Sequence, residues 1–226
     1  MIRTSLNELL HMTRKAMLGC GFSHDIAEDT GWAMVMASPY QPDAICQLAD
    51  DLFYYQDHHS EAPVIADNHR ITIDNGQLYL QAKPYEMLGF NGILCDWLTA
   101  SEKPLSDENA VILKLPYMPI AFLGHLLWTA SQYNQQVVIE HHGRHLRPDQ
   151  MLAIKPDTGQ NAQEELAEYR ITMQNSDDVR IMPAPEPVEI DDTGWSRLSE
   201  FAFRSYVPES EASRLSGAGA GLTDND

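Results

Sequence analysis

An Asn75-Gly76 dipeptide joins two five-residue stretches, Arg70–Asp74 and Gln77–Gln81, in which apolar and polar residues alternate. Few turns can join antiparallel strands through two residues. Asn-Gly suits the type I′ turn, which needs positive φ at both positions. The loop length then fixes the register, pairing Ile73 with Leu78 and Ile71 with Leu80, so four apolar side chains share one face. Such a hairpin is marginal by itself in water, so other parts of the chain must cover that face.

The first third of the chain is helical. Ser5 with Glu8 forms a capping box, which starts a helix at Leu6, with Leu9, Leu10, Ala16, Met17 and Cys20 on its apolar stripe. Gly19 and Gly21 can end it. Ser23 or Asp25 caps a second helix with Ile26, Ala27, Thr30, Ala33, Met34 and Ala37 on one side. Asp43 opens a third, whose stripe is Ile45, Leu48, Ala49, Leu52 and Phe53. None can hide its stripe alone, so they pack together or on a sheet.

The middle of the chain has the pattern of a βαβ unit. Val111–Leu115 is an apolar run, 119–133 is helical with Phe122, Leu123, Leu126, Leu127 and Ala130 buried, and Val137-Val138-Ile139 is a second run. That order predicts a right-handed crossover between parallel strands. Later, Tyr169, Ile171 and Met173 alternate with polar residues as a strand, 179–182 is a candidate partner, the proline-rich 183–187 is extended, and a helix covers 193 to about 204 through Trp195, Leu198 and Phe201. The fold class expected is α/β (or α+β), a three-helix segment packed on a mixed sheet that holds the hairpin and one βαβ unit. With only the short 57–63 between them, a helical lobe (1–58) and a mixed lobe (59–226) form one domain.

Charge narrows the partners. A formal net charge of −18 repels phosphate backbones and anionic headgroups, which argues against nucleic acid and membrane surfaces. No apolar leader follows Met1, and the most apolar segment, 119–130, is too short to span a bilayer. Cys20, Cys46 and Cys95 are far apart and lack a CxxC pair, so reduced, buried thiols in the cytoplasm are expected.

Both ends of the chain resemble an uncharacterised bacterial family of about this length. Ser5-Leu6-Asn7-Glu8, Arg14-Lys15-Ala16 and Gly21-Phe22-Ser23 carry the likeness at the start, and the Gly217-to-Asp226 run GAGAGLTDND carries it at the end. The resemblance implies no activity or cofactor, but it does imply that the tail belongs to the fold. Residues 217–226 are accordingly expected to be ordered, packed on the body or on a neighbouring subunit. A weaker similarity joins Ser5-Leu6-Asn7-Glu8-Leu9 and 21–28 to the first helices of the malate and ureidoglycolate dehydrogenase family. The chain departs from that family in being much shorter and in having no Asp-Ser-His-Gly after the second helix.

The ligand-capable cluster is Glu140-His141-His142-Gly143-Arg144-His145. Imidazoles and a carboxylate suit divalent metals, and an extended segment lets only His141 and His145 share a side. No HExxH or second motif completes a metal site, so solvated or structural histidine is the commoner role. The cluster follows the second strand of the βαβ unit, and ligands bind at the carboxyl ends of parallel strands. Tyr117, after the first strand, opens on the same edge, as does the helix N-terminus near Ile120. Tyr117, His141, His142 and Arg144 are therefore the candidate ligand-binding residues. Asp50-Asp51 and Asp191-Asp192 fit solvated helix faces or helix starts, His58-His59 an exposed loop, and His125 a satisfied core or edge position. No GxSxG, P-loop or kinase signature is present, and no cofactor is indicated. Two functions are expected from these features: a small soluble metabolic enzyme, or ligand-binding accessory protein, with a strand-end pocket for a small molecule; or a non-catalytic assembly protein whose helices pair with another chain. Both leave room for a homo-oligomer.

Overall fold

The computed structural model describes residues 1–58, 70–100, 110–152, 166–175 and 187–205. The expectations for 59–63, 179–182, 183–186 and the tail 217–226 lie outside these residues. Asn75 and Gly76 adopt φ of 47° and 76°, and strands β2 (Arg70–Asp74) and β3 (Gln77–Gln81) pair in the expected register, Ile73 with Leu78 and Ile71 with Leu80. Only part of the shared face is buried. Leu78 and Leu80 are in the core, Ile71 is half-buried and Ile73 is 60% exposed. The cause is position, because β2 is the edge strand and the core extends under β3.

Helix α1 (Leu6–Gly19) starts with the capping box: the Ser5 hydroxyl accepts the Glu8 N–H at 3.2 Å, and the Glu8 carboxylate accepts the Ser5 N–H at 2.9 Å. It ends where Gly21, at φ 90°, lets the Phe22 N–H return to the Met17 carbonyl and its own N–H to that of Leu18. Ser23, not Asp25, caps α2 (His24–Ala37), through the Ile26 N–H at 3.4 Å. Helix α3 (Ala44–His58) buries Ile45, Leu48, Ala49 and Leu52 but leaves Phe53 exposed, since the buried side extends toward Asp51 and Tyr55 and leaves Phe53 on the outer flank. A 3-10 turn (Pro84–Gly89) and α4 (Asn91–Thr99) follow the hairpin.

Helix α5 (Ile120–Tyr133) is buried nearly all round and touches α2, α3, α4 and strand β5 (Gln135–His141). It approaches α2 closely: a Cβ on Gly124 would lie 2.0 Å from the Ala33 carbonyl oxygen. Strand β4 (Val111–Leu115) precedes α5, so the order expected of a βαβ unit is present. Its strands, however, are not neighbours. Strand β7 (Ala167–Asn175) lies between β4 and β5, antiparallel to both, which makes β4 and β5 point the same way. The direct parallel neighbour of β4 is β3. Strand β6 (Arg144–Leu146) pairs back on β5, and the six-stranded order is β2-β3-β4-β7-β5-β6.

The register places Leu78, Leu80, Val111, Leu113, Tyr169, Ile171, Val137 and Ile139 on one face, and these residues share a single hydrophobic cluster with the helices. The opposite face carries Lys114, Glu168 and Arg170. Short strands β1 (Ile2–Thr4) and β8 (Val188–Ile190) form a separate antiparallel pair. Strand β8 leads into α7 (Asp192–Phe203), which packs on α1 and α3, and α6 (Pro148–Leu152) packs on α5. Among the described residues no helix is long and apolar enough to cross a membrane.

Candidate functional site

The carboxyl ends of the parallel pair β3 and β4 open into a cleft of about 590 Å³. The chain leaving β3 supplies residues 81–86 to its wall, and the chain leaving β4 supplies Pro116 and Tyr117. Leu166, just before β7, adds an apolar edge. The C-terminal half of α3 completes the wall with Asp51, Tyr54 and His58. Position follows from topology: two parallel strands end side by side, and among the described residues no strand continues the sheet beyond their ends.

Asp51 stands apart in this wall. It is 4% exposed, and the influences on its carboxyl are burial first and the like charge of Asp50 second, which push it up to about 8. Asp50 turns outward and pairs with Arg197 at 2.6 Å, so that cation does not compensate Asp51. The expectation that Asp50-Asp51 forms a solvated helix face is thus corrected for Asp51. Its position was legible. Asp51 lies three residues after Leu48 and four before Tyr55, both buried, and so falls on the inward stripe of α3.

Around it the wall is aromatic. The Tyr117 phenol is held above its usual range by burial and by the nearby Asp51 and Asp50, and so stays a hydrogen-bond donor. The His58 ring stacks on Tyr85 with centroids 5.5 Å apart, and its Nδ1 sits 2.8 Å from the Tyr54 carbonyl oxygen. Lys83 is exposed at the rim, its Nζ 5.7 Å from the centre of the Tyr85 ring. Glu86 accepts the Lys83 backbone N–H at 2.7 Å and so fixes the start of the 3-10 turn.

The described wall contains Tyr117 and none of His141, His142 and Arg144. Those three lie at the β5–β6 hairpin, with β7 between them and β4. His142 and Gly143, at φ 49° and 69°, make a second two-residue turn of the kind seen at Asn75-Gly76. The His141 ring stacks on Tyr169 at 4.3 Å and approaches the His142 ring at 4.0 Å, and its Nδ1 is 3.2 Å from the Glu168 carbonyl oxygen. Arg144 pairs with His141 across the hairpin, while His145 pairs with Glu140. His141 and His145 therefore project to opposite faces of the sheet, because a two-residue turn reverses the alternation an uninterrupted strand would have. Among the described residues no group of three or more His, Cys, Asp or Glu is placed to hold a metal ion.

Two further expectations resolve here. His125 is in the core at 3% exposure, but its Nδ1 has no hydrogen-bond partner among the described residues, and burial pushes its pKa down to about 4. It is a core histidine without being a satisfied one. Of the three thiols expected to be buried, Cys95 is, while Cys20 and Cys46 are half-buried; burial still pushes Cys20, Cys46 and Cys95 up to about 12, 11 and 12, which suits structural residues rather than nucleophiles. Compared with family models, with curated proteins and with solved structures, the chain matches none of them.

Proposed function

We propose that this protein is a small-molecule enzyme working by proton transfer, with Asp51 as the acid–base group of the cleft at the ends of β3 and β4. One observation carries it: a carboxyl 4% exposed, with burial and a like charge acting on it among the described residues, faces a cleft large enough for a small metabolite. A carboxyl that changes protonation close to neutral pH can both give and take a proton in one cycle. Tyr117 supplies a second donor in the same wall.

The test is a screen of small metabolites for consumption, read by mass spectrometry. A compound consumed by the wild type and left intact by Asp51→Asn supports the proposal. No consumption, or consumption that Asp51→Asn leaves unchanged, overturns it. The second function, assembly, is favoured by a different observation: α3 turns Phe53 outward at 51% exposure. Sedimentation velocity decides it, since an assembly held by that face should dissociate in Phe53→Ser.

A further inference from the structure

We infer that the ligand of this cleft is a small amine, its ammonium seated on Asp51 beside the rings of Tyr54 and Tyr117. The inference rests on the proposed function in taking the cleft as the site, and adds the chemical class.

The depth of each charge decides the orientation. Asp51 is buried and no cation among the described residues reaches it, whereas Lys83, the cation of the described wall, is exposed at the rim over Tyr85. A charge pair made at depth is screened little, and one made at the rim is screened by solvent. A ligand cation at the inner end completes a missing pair. A ligand anion there meets Asp51 and the nearby Asp50, and gains only the rim lysine.

The walls favour the same choice. Taking an ammonium out of water is expensive unless its charge is met from several sides. Phenol rings do this through their negative faces, and Tyr54 and Tyr117 both line the cleft with Asp51. Pro84, Pro116 and Leu166 give an apolar body a place to lie. The chain's net charge of −18 draws cations toward every opening on its surface. The pair also suits the chemistry. Against an ammonium Asp51 is held ionised, and it can accept one proton: an N–H bond breaks, the Asp51 O–H bond forms, and the electron pair stays on nitrogen as a nucleophile.

Benzylamine, benzyl alcohol and benzoate share a body and differ in charge. Each is titrated into the full chain carrying ring-labelled tyrosine, with binding followed by NMR. Benzylamine is expected to shift the tyrosine signals with an affinity at least tenfold above the other two, and Asp51→Asn to lower that affinity at least tenfold. Should Asp51→Asn not fold, Tyr117→Leu serves in its place, with a several-fold loss expected. Benzoate or benzyl alcohol binding as well as benzylamine, and still dependent on Asp51 or Tyr117, overturns the amine and leaves the cleft standing. No binding by any of the three, or binding indifferent to both substitutions, overturns the amine and the cleft together.

Discussion

Asp51 and His125 are buried to nearly the same degree, 4% and 3% exposed, and each is kept neutral near pH 7 by its surroundings. They differ in what lies in front of them. Asp51 faces a cleft, while His125 is sealed on α5, with the Trp128 ring edge-on at 5.4 Å. Burial sets the direction of each shift, up for an acid and down for a base, but only access lets a shifted group meet a ligand. A perturbed group is a site when space adjoins it.

The contrast can be broken from its sealed side first. Gly124 precedes His125, and a Cβ there would meet the Ala33 carbonyl oxygen at 2.0 Å. Gly124→Val must push α5 off α2, and the loss is expected to exceed about 5 kcal/mol, enough to remove soluble protein. Expression and a far-UV melt check it.

The two groups should drive stability in opposite directions with pH. For Asp51 the folded pKa, about 8, lies above the unfolded value of 3.8, so the native state binds more protons between them. Its contribution is most favourable below about pH 4 and is lost as pH rises through 8. Asp51→Asn removes that loss. Relative to the wild type it should gain little at pH 4 and on the order of 5 kcal/mol at pH 9, read from urea unfolding. His125 is the reverse. Its folded pKa of about 4 lies below the unfolded 6.5, so the unfolded state binds the extra proton and stability falls as pH drops across that window. His125→Leu should abolish about 2–3 kcal/mol of acid sensitivity between pH 6.5 and 4. A variant as acid-sensitive as the wild type would remove His125 from the comparison.

The smallest effect expected is a control remote from both groups. Gly76 sits at φ 76°, where a β-branched side chain is strained, so Gly76→Val should lower stability by about 1 kcal/mol or more, seen as a lower melting temperature at every pH.

What the sequence made legible was local. Asn75-Gly76 announced both a turn and a register, and the Ser5–Glu8 box announced a helix start, because each is settled by residues close together in the chain. What it hid was assembly. Three-residue strands β1 and β8 show no period, and nothing in β4 or β5 signals that β7 will insert between them. The candidate site divides in the same way. Tyr117 lines the cleft because it follows β4. The other expected residues follow β5, which the insertion of β7 separates from β4. Asp51 is hidden in the sequence because two adjacent acids look solvated, although its place on the stripe of Leu48 and Tyr55 is a signal of burial.

Carbon NMR of the aspartate side chains through a pH titration, with Asp51→Asn identifying the signal, reads whether the buried Asp51 carboxyl exchanges its proton near neutral pH. A midpoint near 8 is expected. A midpoint near 4, the ordinary value of a solvated aspartate, would contradict it.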